Sequence, residues 1–264
     1  MYLFLCIVSF ISVFPLYWMV SAATNKSADV ISGRLIPGGY FIENLNNLLA
    51  AQNIGRAFGN SFKYAAILTI VSLLVSSLAG YGFEIFHDKA KDTLMSIILL
   101  AMMVPFVATM IPLFQMFSKA GWLNTTIGFI LPTISTPFLI MMFRQSARSF
   151  PHDIMEAARI DGAGELHIFH KIVLPIMAPG IATMSICAFI GNWNNYLVPL
   201  ILLNTPDKMT LPVMISTLNA ATDLQKNQGA IYLGVAISVV PIMIVFCFCS
   251  KYIISSITAG SVNE

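Results

Sequence analysis

Charged side chains are scarce in this chain. Only 10% of its 264 residues are Asp, Glu, Lys or Arg, whereas 57% are hydrophobic and the mean hydropathy is +0.81. Soluble domains carry about a quarter charged residues, so this scarcity excludes an ordinary soluble domain. The net charge of +2 comes from scattered basic residues, which argues against nucleic-acid binding. The composition therefore predicts an integral membrane protein.

Motifs that carry chemistry are also absent. The sequence has no Gly-x-x-x-x-Gly-Lys-Ser/Thr loop for nucleotide phosphates, no Gly-x-Ser-x-Gly and no His-Glu-x-x-His. No spacing of its few cysteines and histidines completes a metal-ligand set. Those residues are Cys6, Cys187, Cys247, Cys249, His87, His152, His167 and His170. We predict no catalytic residue, no metal site and no cofactor in this chain.

Acidic residues are missing from the apolar runs of the sequence. Asp and Glu occur only in its polar segments and at Glu264. A proton-coupled secondary transporter usually needs ionisable groups at membrane depth. Their absence disfavours that class, and the energy for any transport must then come from another chain.

Long apolar runs are abundant, and six of them are long enough to cross a membrane as helices. The predicted spans cover residues 2–20, 64–83, 94–117, 126–143, 178–203 and 230–254. The first could be a cleaved signal peptide, but no basic segment precedes it, so a retained span is favoured. We predict an all-α, polytopic membrane fold in which residues 1–264 form one transmembrane domain.

Prolines and polar segments punctuate these spans. Prolines interrupt the third and fourth spans, which predicts bent helices there. These prolines are Pro105, Pro112, Pro132 and Pro137. Leucines at helical spacing predict an interfacial helix over Phe41–Phe58, and residues 204–228 are predicted to form a polar loop.

The polar segment between the fourth and fifth spans predicts a helical hairpin. Asp153 is placed to cap a helix over residues 154–160, and Gly162 is expected to end it. A second helix over residues 165–173 should stop at Pro175. A hairpin that merely lies on the membrane surface is the plain alternative.

A longer pattern runs through the hairpin. Glu156-Ala157-Ala158 is followed after three residues by Gly162, after nine more by Ile172, and after one more by Leu174-Pro175. This gap-free spacing resembles the cytoplasmic coupling loop of binding-protein-dependent ABC importer permeases. The stretch Ile160-Asp161-Gly162-Ala163 and the later Asn192-Trp193-Asn194 resemble the carbohydrate-uptake branch, specifically its maltose-type second permease. The best-known maltose permease lacks the Asn-Trp-Asn run, so maltose itself is not implied.

The resemblance implies a six-helix importer permease with the coupling loop at residues 151–175. It implies that this loop docks in a cleft of an ATPase subunit, where its glutamate meets basic residues. The predicted coupling residues are Glu156, Ala157, Ala158, Ile160, Asp161 and Gly162. The implied partners are a second homologous permease, two cytoplasmic ATPase subunits that bind ATP and Mg, an extracellular solute-binding protein, a carbohydrate and membrane lipid.

The charge distribution leaves the orientation open. With both termini inside, the inner and outer segments each hold seven basic residues, whereas the positive-inside rule needs an imbalance. The resemblance implies cytoplasmic termini in a bacterial cell membrane. It also implies that the loop at residues 204–228 reaches into the binding protein.

A run of amide and aromatic side chains in the fifth span is the candidate substrate path. It consists of Asn192, Trp193, Asn194, Asn195 and Tyr196. Amides pair with sugar hydroxyls, and aromatic faces stack on the apolar face of a pyranose. The same residues could instead join helices or mark the membrane interface.

Two other functions stay open from the sequence. An importer of the same architecture for a non-sugar solute is disfavoured by Asn192-Trp193-Asn194. A secondary transporter or membrane enzyme that carries a surface hairpin is the more distant alternative. Co-purification of an ATPase subunit would separate it from an importer.

Overall fold

The computed structural model describes residues 2–148, 150–220 and 227–261. These ranges contain helices, turns and irregular segments but no strand, which confirms the all-α prediction. The helices in chain order are α1 (Tyr2–Ala23), α2 (Ser27–Ile31), α3 (Phe41–Ala51), α4 (Ile54–Ile85), α5 (Lys89–Ala101), α6 (Phe106–Lys119), α7 (Thr126–Ile130), α8 (Pro137–Arg148), α9 (His152–Ile160), α10 (Glu165–Ile168), α11 (Leu174–Ile176), α12 (Ala178–Trp193), α13 (Leu197–Leu202), α14 (Leu211–Ala220) and α15 (Gln228–Ser261). A 3-10 turn, Leu131–Thr133, follows α7, and a π-helical turn, Phe169–Val173, joins α10 to α11.

Three helices in the described ranges are long and apolar enough to cross a membrane unbroken. They are α1, α4 and the Gln228–Cys249 part of α15. Three further candidates are pairs of segments that meet at a bend: α5 with α6 at 97°, Thr126–Thr133 with α8 at 52°, and Glu165–Ile176 with α12 at 81°. If each bent pair is one span, the count is six, in agreement with the predicted polytopic fold.

Prolines account for the bends in the third and fourth spans. Pro105 stands directly before α6, and a residue that precedes proline avoids the helical conformation. Pro132 lies in the 3-10 turn, and Pro137 begins α8. Pro112, in contrast, lies inside α6 without ending it. The prediction of bent helices in these two spans is confirmed.

Two polar segments differ from their predictions. The helix predicted over Phe41–Phe58 ends at Ala51, and Ile54 already belongs to α4. The 32 residues of α4 span about 48 Å, more than the hydrocarbon core of about 30 Å, so its polar ends extend beyond the membrane. The loop predicted at residues 204–228 contains α14, while its residues 221–226 lie outside the described residues.

The chain divides into two compact units, Met1–Ser61 with Thr205–Ile244 and Phe62–Asn204 with Val245–Glu264. The predicted single domain over residues 1–264 is not tested by this division and stays a prediction.

Buried amide side chains organise the first unit. The Asn25 amide nitrogen donates to the Ser21 carbonyl at 2.9 Å and to the Ile36 carbonyl at 3.0 Å. The Asn44 amide donates at 2.8 Å to the carbonyl of the last residue of α1. A Cβ on Gly229 would lie 2.3 Å from the Asn25 carbonyl oxygen, so only glycine fits there. These contacts join α1, α3 and the start of α15.

Hydrogen bonds and an ion pair join the segment before α14 to the start of α4 in the same unit. The Leu211 backbone N–H donates to the Ser61 hydroxyl at 2.7 Å. The Asn60 amide donates to the Asp207 carbonyl at 3.0 Å, and the Asp207 carboxylate pairs with Arg56. The part of the predicted loop that precedes α14 is therefore held against α4.

Three apolar clusters follow one another along α4 in the second unit. Tyr64 and Leu68 pack with residues of α6, α7 and α13. Further along, Leu73 packs against buried side chains of α8 and α12. Tyr81, one turn from the end of α4, packs with the segment that runs from residue 150 to residue 173. This last cluster positions the candidate functional site.

Candidate functional site

The first helix of the hairpin (residues 151–175) starts earlier than predicted. α9 begins at His152, and Pro151 takes the capping position without a side-chain cap bond. Proline has no backbone N–H, which costs nothing ahead of a helix. The prediction that Asp153 caps this helix is therefore wrong. Asp153 lies in the first turn instead, where a carboxylate still favours the helix dipole.

The turn of the hairpin is closed by backbone hydrogen bonds. The Asp161 N–H donates to the Ala157 carbonyl at 3.0 Å, and the Ala163 N–H donates to the Ala158 carbonyl at 2.9 Å. Gly162 has φ = +80°, a left-handed conformation that glycine adopts without strain. Gly162 therefore ends the helix as predicted.

The second helix does not stop at Pro175, which corrects the prediction. α10 continues through the π-helical turn Phe169–Val173 into α11, and Pro175 lies inside α11. A proline in a regular α-helix clashes with the carbonyl four residues earlier, and a π-turn changes that geometry. The helical course bends at Met177 instead, immediately before α12.

The hairpin has one buried face and one exposed face. Met155, Ile168, Phe169 and Val173 are buried, and they pack with Tyr81. The predicted coupling residues lie mostly on the other face. Glu156, Ala157, Asp161 and Gly162 are exposed, Ile160 is 85% exposed, and Ala158 is half-buried against the cluster. The exposed face presents small and apolar side chains beside the carboxylates of Asp153, Glu156 and Asp161.

An ion pair ties the two arms of the hairpin together. The Arg159 Nε atom lies 2.6 Å from Glu165 Oε1, and the Tyr81 hydroxyl donates to Glu165 Oε2 at 2.9 Å. The hydrogen bond to Glu165 raises the pKa of the Arg159 guanidinium above its ordinary value. Sequence reasoning missed Tyr81 because it lies 84 residues from its partner.

A second ionic cluster lies at the same end of α4. Arg144 of α8 donates to Glu84 Oε2 at 3.0 Å and to Asp92 Oδ1 at 2.9 Å. His87 Nδ1 lies 3.4 Å from the same Asp92 oxygen. Arg144 thus joins α4, α5 and α8. From the sequence alone, Arg144 is expected to be an interfacial residue near the end of a span, since nothing local identifies its partners.

A cavity of about 300 Å³ lies between α4, α8 and α12 in the second unit. Its lining residues are Ser72, Thr133, Thr136, Phe138, Leu139, Cys187, Ala188, Gly191, Asn192 and Asn195. None of these described lining residues is charged. The polar atoms are hydroxyls and amides, which suit a neutral, hydroxyl-rich ligand.

Two of the five predicted path residues line this cavity. The Asn192 amide nitrogen donates to Thr69 Oγ1 at 3.3 Å, and Asn195 Oδ1 accepts from the Val198 N–H at 3.3 Å. Each amide keeps one further polar atom, Oδ1 of Asn192 and Nδ2 of Asn195, which makes no protein hydrogen bond within the described residues. Those atoms are available to a ligand.

The other three path residues are placed differently. Trp193 is 1% exposed, and its ring stacks on Phe189 with centroids 6.1 Å apart. Asn194 is exposed at the end of α12, and Tyr196 is half-buried directly before α13. The structure does not bring these three into the cavity, and their role as a substrate path stays a prediction.

The cavity also contains residues that sequence reasoning missed. Ser72 comes from α4, while Thr133 and Thr136 come from the break before α8. Serine and threonine within apolar runs could have indicated that these residues line a polar cavity. The sequence does not show which helices meet there, so the cavity itself could not be predicted. In the described residues, no group of three His, Cys, Asp or Glu side chains is placed to hold a metal ion.

The family model described as "Binding-protein-dependent transport system inner membrane component" matches residues 72–258, which include the hairpin and the cavity-lining helix α12. This chain belongs to that family. It is therefore a membrane-embedded permease component of a transport system, and not an enzyme.

Similar proteins match this permease over nearly its whole length. The lactose transport system permease protein LacG of Rhizobium radiobacter is 40% identical over 245 residues, 93% of this chain and 89% of LacG. The arabinooligosaccharides transport system permease protein AraQ of Halalkalibacterium halodurans is 35% identical over 261 residues, 97% of this chain and 93% of AraQ. The predicted resemblance to sugar importer permeases is confirmed.

A solved structure has the same fold as this permease. It is the crystal structure of a bacterial ABC transporter involved in the import of the acidic polysaccharide alginate. The TM-score is 0.82 at 24% identity, over 95% of this chain and 94% of the matched chain. This likeness supports the importer permease fold.

Proposed function

We propose that this permease imports a carbohydrate with energy from ATP that a separate ATPase subunit hydrolyses. The observation that carries the substrate class is the similarity to the lactose and arabinooligosaccharide permeases along more than nine-tenths of the chain. The uncharged cavity supports it, because hydroxyl and amide atoms match the hydrogen-bonding groups of a sugar. Phe138 adds an aromatic surface to that lining.

The exposed face of the hairpin is the proposed ATPase contact. Ala157 and Gly162 let another surface approach the backbone, while the fully projecting Ile160 offers an apolar anchor. Glu156 is exposed beside them and is available to basic side chains of an ATPase. Closure of two ATPase subunits around Mg and ATP would move the hairpin and switch the access of the cavity.

The complete transporter would contain a second permease, two ATPase subunits and an extracellular solute-binding protein. Both termini and the hairpin would then face the cytoplasm of a bacterial cell. A cysteine introduced at Asp161 in a cysteine-free background should react with a membrane-impermeant maleimide in inside-out vesicles and not in right-side-out vesicles. Labelling from the outer side alone would reverse the proposed orientation.

Uptake by the reconstituted complex tests the proposed function. The permease pair, ATPases and binding protein are placed in vesicles, and radiolabelled lactose and arabinooligosaccharides are offered on the binding-protein side. We expect saturable accumulation of at least one sugar that requires ATP hydrolysis. Vesicles loaded with a non-hydrolysable ATP analogue are the control. ATP-dependent uptake of a non-sugar solute alone would overturn the carbohydrate assignment, and purification without any ATPase would overturn the importer assignment.

A further inference from the structure

The last two turns of α4 contact three structural elements at once. A Cβ on Gly80 would lie 2.5 Å from Phe143 Cβ and 2.7 Å from the Arg144 backbone nitrogen, so α4 and α8 touch here with no room for a side chain. Tyr81 faces the hairpin, and Glu84 faces Arg144. Gly80, Tyr81 and Glu84 at this end of α4 therefore meet α8, the hairpin and the ionic cluster, respectively.

Tyr81 makes a polar contact between α4 and the hairpin. It is 6% exposed, its ring lies 5.2 Å from that of Phe169, and its hydroxyl donates to Glu165 at 2.9 Å. Glu165 also accepts from Arg159, which lies in the other arm. The Glu165 carboxylate thus joins the two arms of the hairpin and also binds the hairpin to α4.

Glu84 and Arg144 extend this connection to two further helices. Tyr81 and Glu84 are three residues apart, about one helical turn, so they are neighbours on the same face of α4. Arg144 joins Glu84 to Asp92 in the first turn of α5. α5 leads into the 97° bend, and α8 begins at the 52° bend. Bends of this kind can absorb the rotation of the segments attached to them.

From this arrangement we propose that Tyr81 is a positioning residue for transport. Its hydroxyl transmits displacement of the hairpin to the end of α4, and the Glu84–Arg144–Asp92 cluster passes the displacement to α5 and α8. The proposal rests on the proposed function, because it requires an ATPase that moves the hairpin. It adds a residue outside the coupling pattern and a route from the hairpin to the bent helices.

The test compares two tyrosines of the same helix. Tyr81→Phe keeps the ring packed on Phe169 and removes only the hydroxyl that binds Glu165. Tyr64→Phe makes the same change in the apolar cluster near Phe129, away from the hairpin. The readout is sugar transported per ATP hydrolysed by the reconstituted complex, together with complex assembly and melting temperature.

We expect this ratio to fall about tenfold in Tyr81→Phe, the order set by one hydrogen bond to a charged acceptor. Assembly should persist, and the ratio in Tyr64→Phe should stay near that of the unmodified complex. A combination of Tyr81→Phe with Glu165→Gln should be no worse than Glu165→Gln alone, because the glutamine already weakens both the Tyr81 contact and the Arg159 pair.

Three outcomes would overturn the proposal. They are an unchanged ratio in Tyr81→Phe, an equal loss in Tyr64→Phe, and a loss of uptake that merely follows loss of assembly. Failure of the proposed function has a different signature, since the unmodified complex would then show no ATP-dependent sugar uptake.

Discussion

The predicted coupling residues of the hairpin lie within seven consecutive residues, Glu156–Gly162, whereas the polar lining of the cavity comes from α4, α12 and the break before α8. Both lie in the second unit of the chain. The hairpin surface is set by one helix and one glycine turn. The cavity exists only where three helices meet. A local pattern can therefore specify the first, while the second depends on tertiary packing.

The two sites also differ in charge. The hairpin exposes the carboxylates of Glu156 and Asp161, and its arms are joined by the Arg159–Glu165 pair. The described lining of the cavity has only hydroxyl, amide, thiol and apolar groups. Charge reversal should therefore act strongly at the hairpin, while loss of a single amide should act moderately at the cavity.

The largest effect is expected from Glu156→Lys on the hairpin. The side chain is exposed, so folding should be preserved, but a lysine would face the basic groups of the proposed ATPase cleft. ATP-dependent uptake should fall roughly thirtyfold or more, the scale of a broken interfacial charge pair. Uptake and ATP hydrolysis by the reconstituted complex are the measurements.

Asp153→Lys is the matched control for that charge reversal. Asp153 is exposed on the same helix but lies outside the coupling pattern. It should lower helix stability slightly through the dipole and leave most of the uptake intact. Equal losses in the two variants would show that uptake depends on the net charge of the hairpin and not on the charge at position 156.

A moderate effect is expected from Asn192→Leu in the cavity. Leucine has a similar size and removes the amide that faces the ligand space. The KM for sugar uptake should rise about fivefold, the equivalent of one neutral hydrogen bond. Asn194→Leu is the control, because Asn194 is exposed outside the cavity lining. A larger change in the Asn194 variant would contradict the assignment of the cavity as the sugar site.

The smallest effect is expected from Gly162→Ala in the turn. A Cβ at φ = +80° is strained, so the hairpin should lose about 1 kcal/mol of stability. Gly164→Ala is the control: its φ of −73° is open to alanine, and the change should lie within about 0.5 kcal/mol of zero. Thermal unfolding of the purified complex measures both. Equal shifts in melting temperature would mean that the left-handed turn is not what makes Gly162 necessary.

Much of the fold could be predicted because its signals are local. Runs of apolar residues indicated the spans, and Pro105 and Pro137 indicated where helices would break. The polar loop prediction failed at α14 because Leu211–Ala220 is short and its partners lie elsewhere in the chain. The helix stop predicted at Pro175 failed because nothing local announces a π-helical turn.

The candidate site also contains residues that the sequence predicts and residues that it does not. Gly162 and the exposed residues beside it followed from a gap-free pattern within one segment. Tyr81, Arg144 and Ser72 could not be found, since each acts through contacts with residues far away in sequence. Trp193 is a different case, because a polar run does not tell which of its side chains face the cavity. Its ring is buried against Phe189, and its role in the substrate path stays a prediction.

The π-helical turn at Phe169–Val173 carries an extra residue within the spacing that separates Gly162 from Ile172. Deletion of one residue from that turn would restore ordinary helical winding. It would also swing everything N-terminal to the turn by about 100° around the helix axis. Glu156 would then point away from any surface it had faced before. The number of residues between Gly162 and Ile172 therefore sets the direction in which the exposed face of the hairpin points. A shortened chain could fold well and still present that face in the wrong direction.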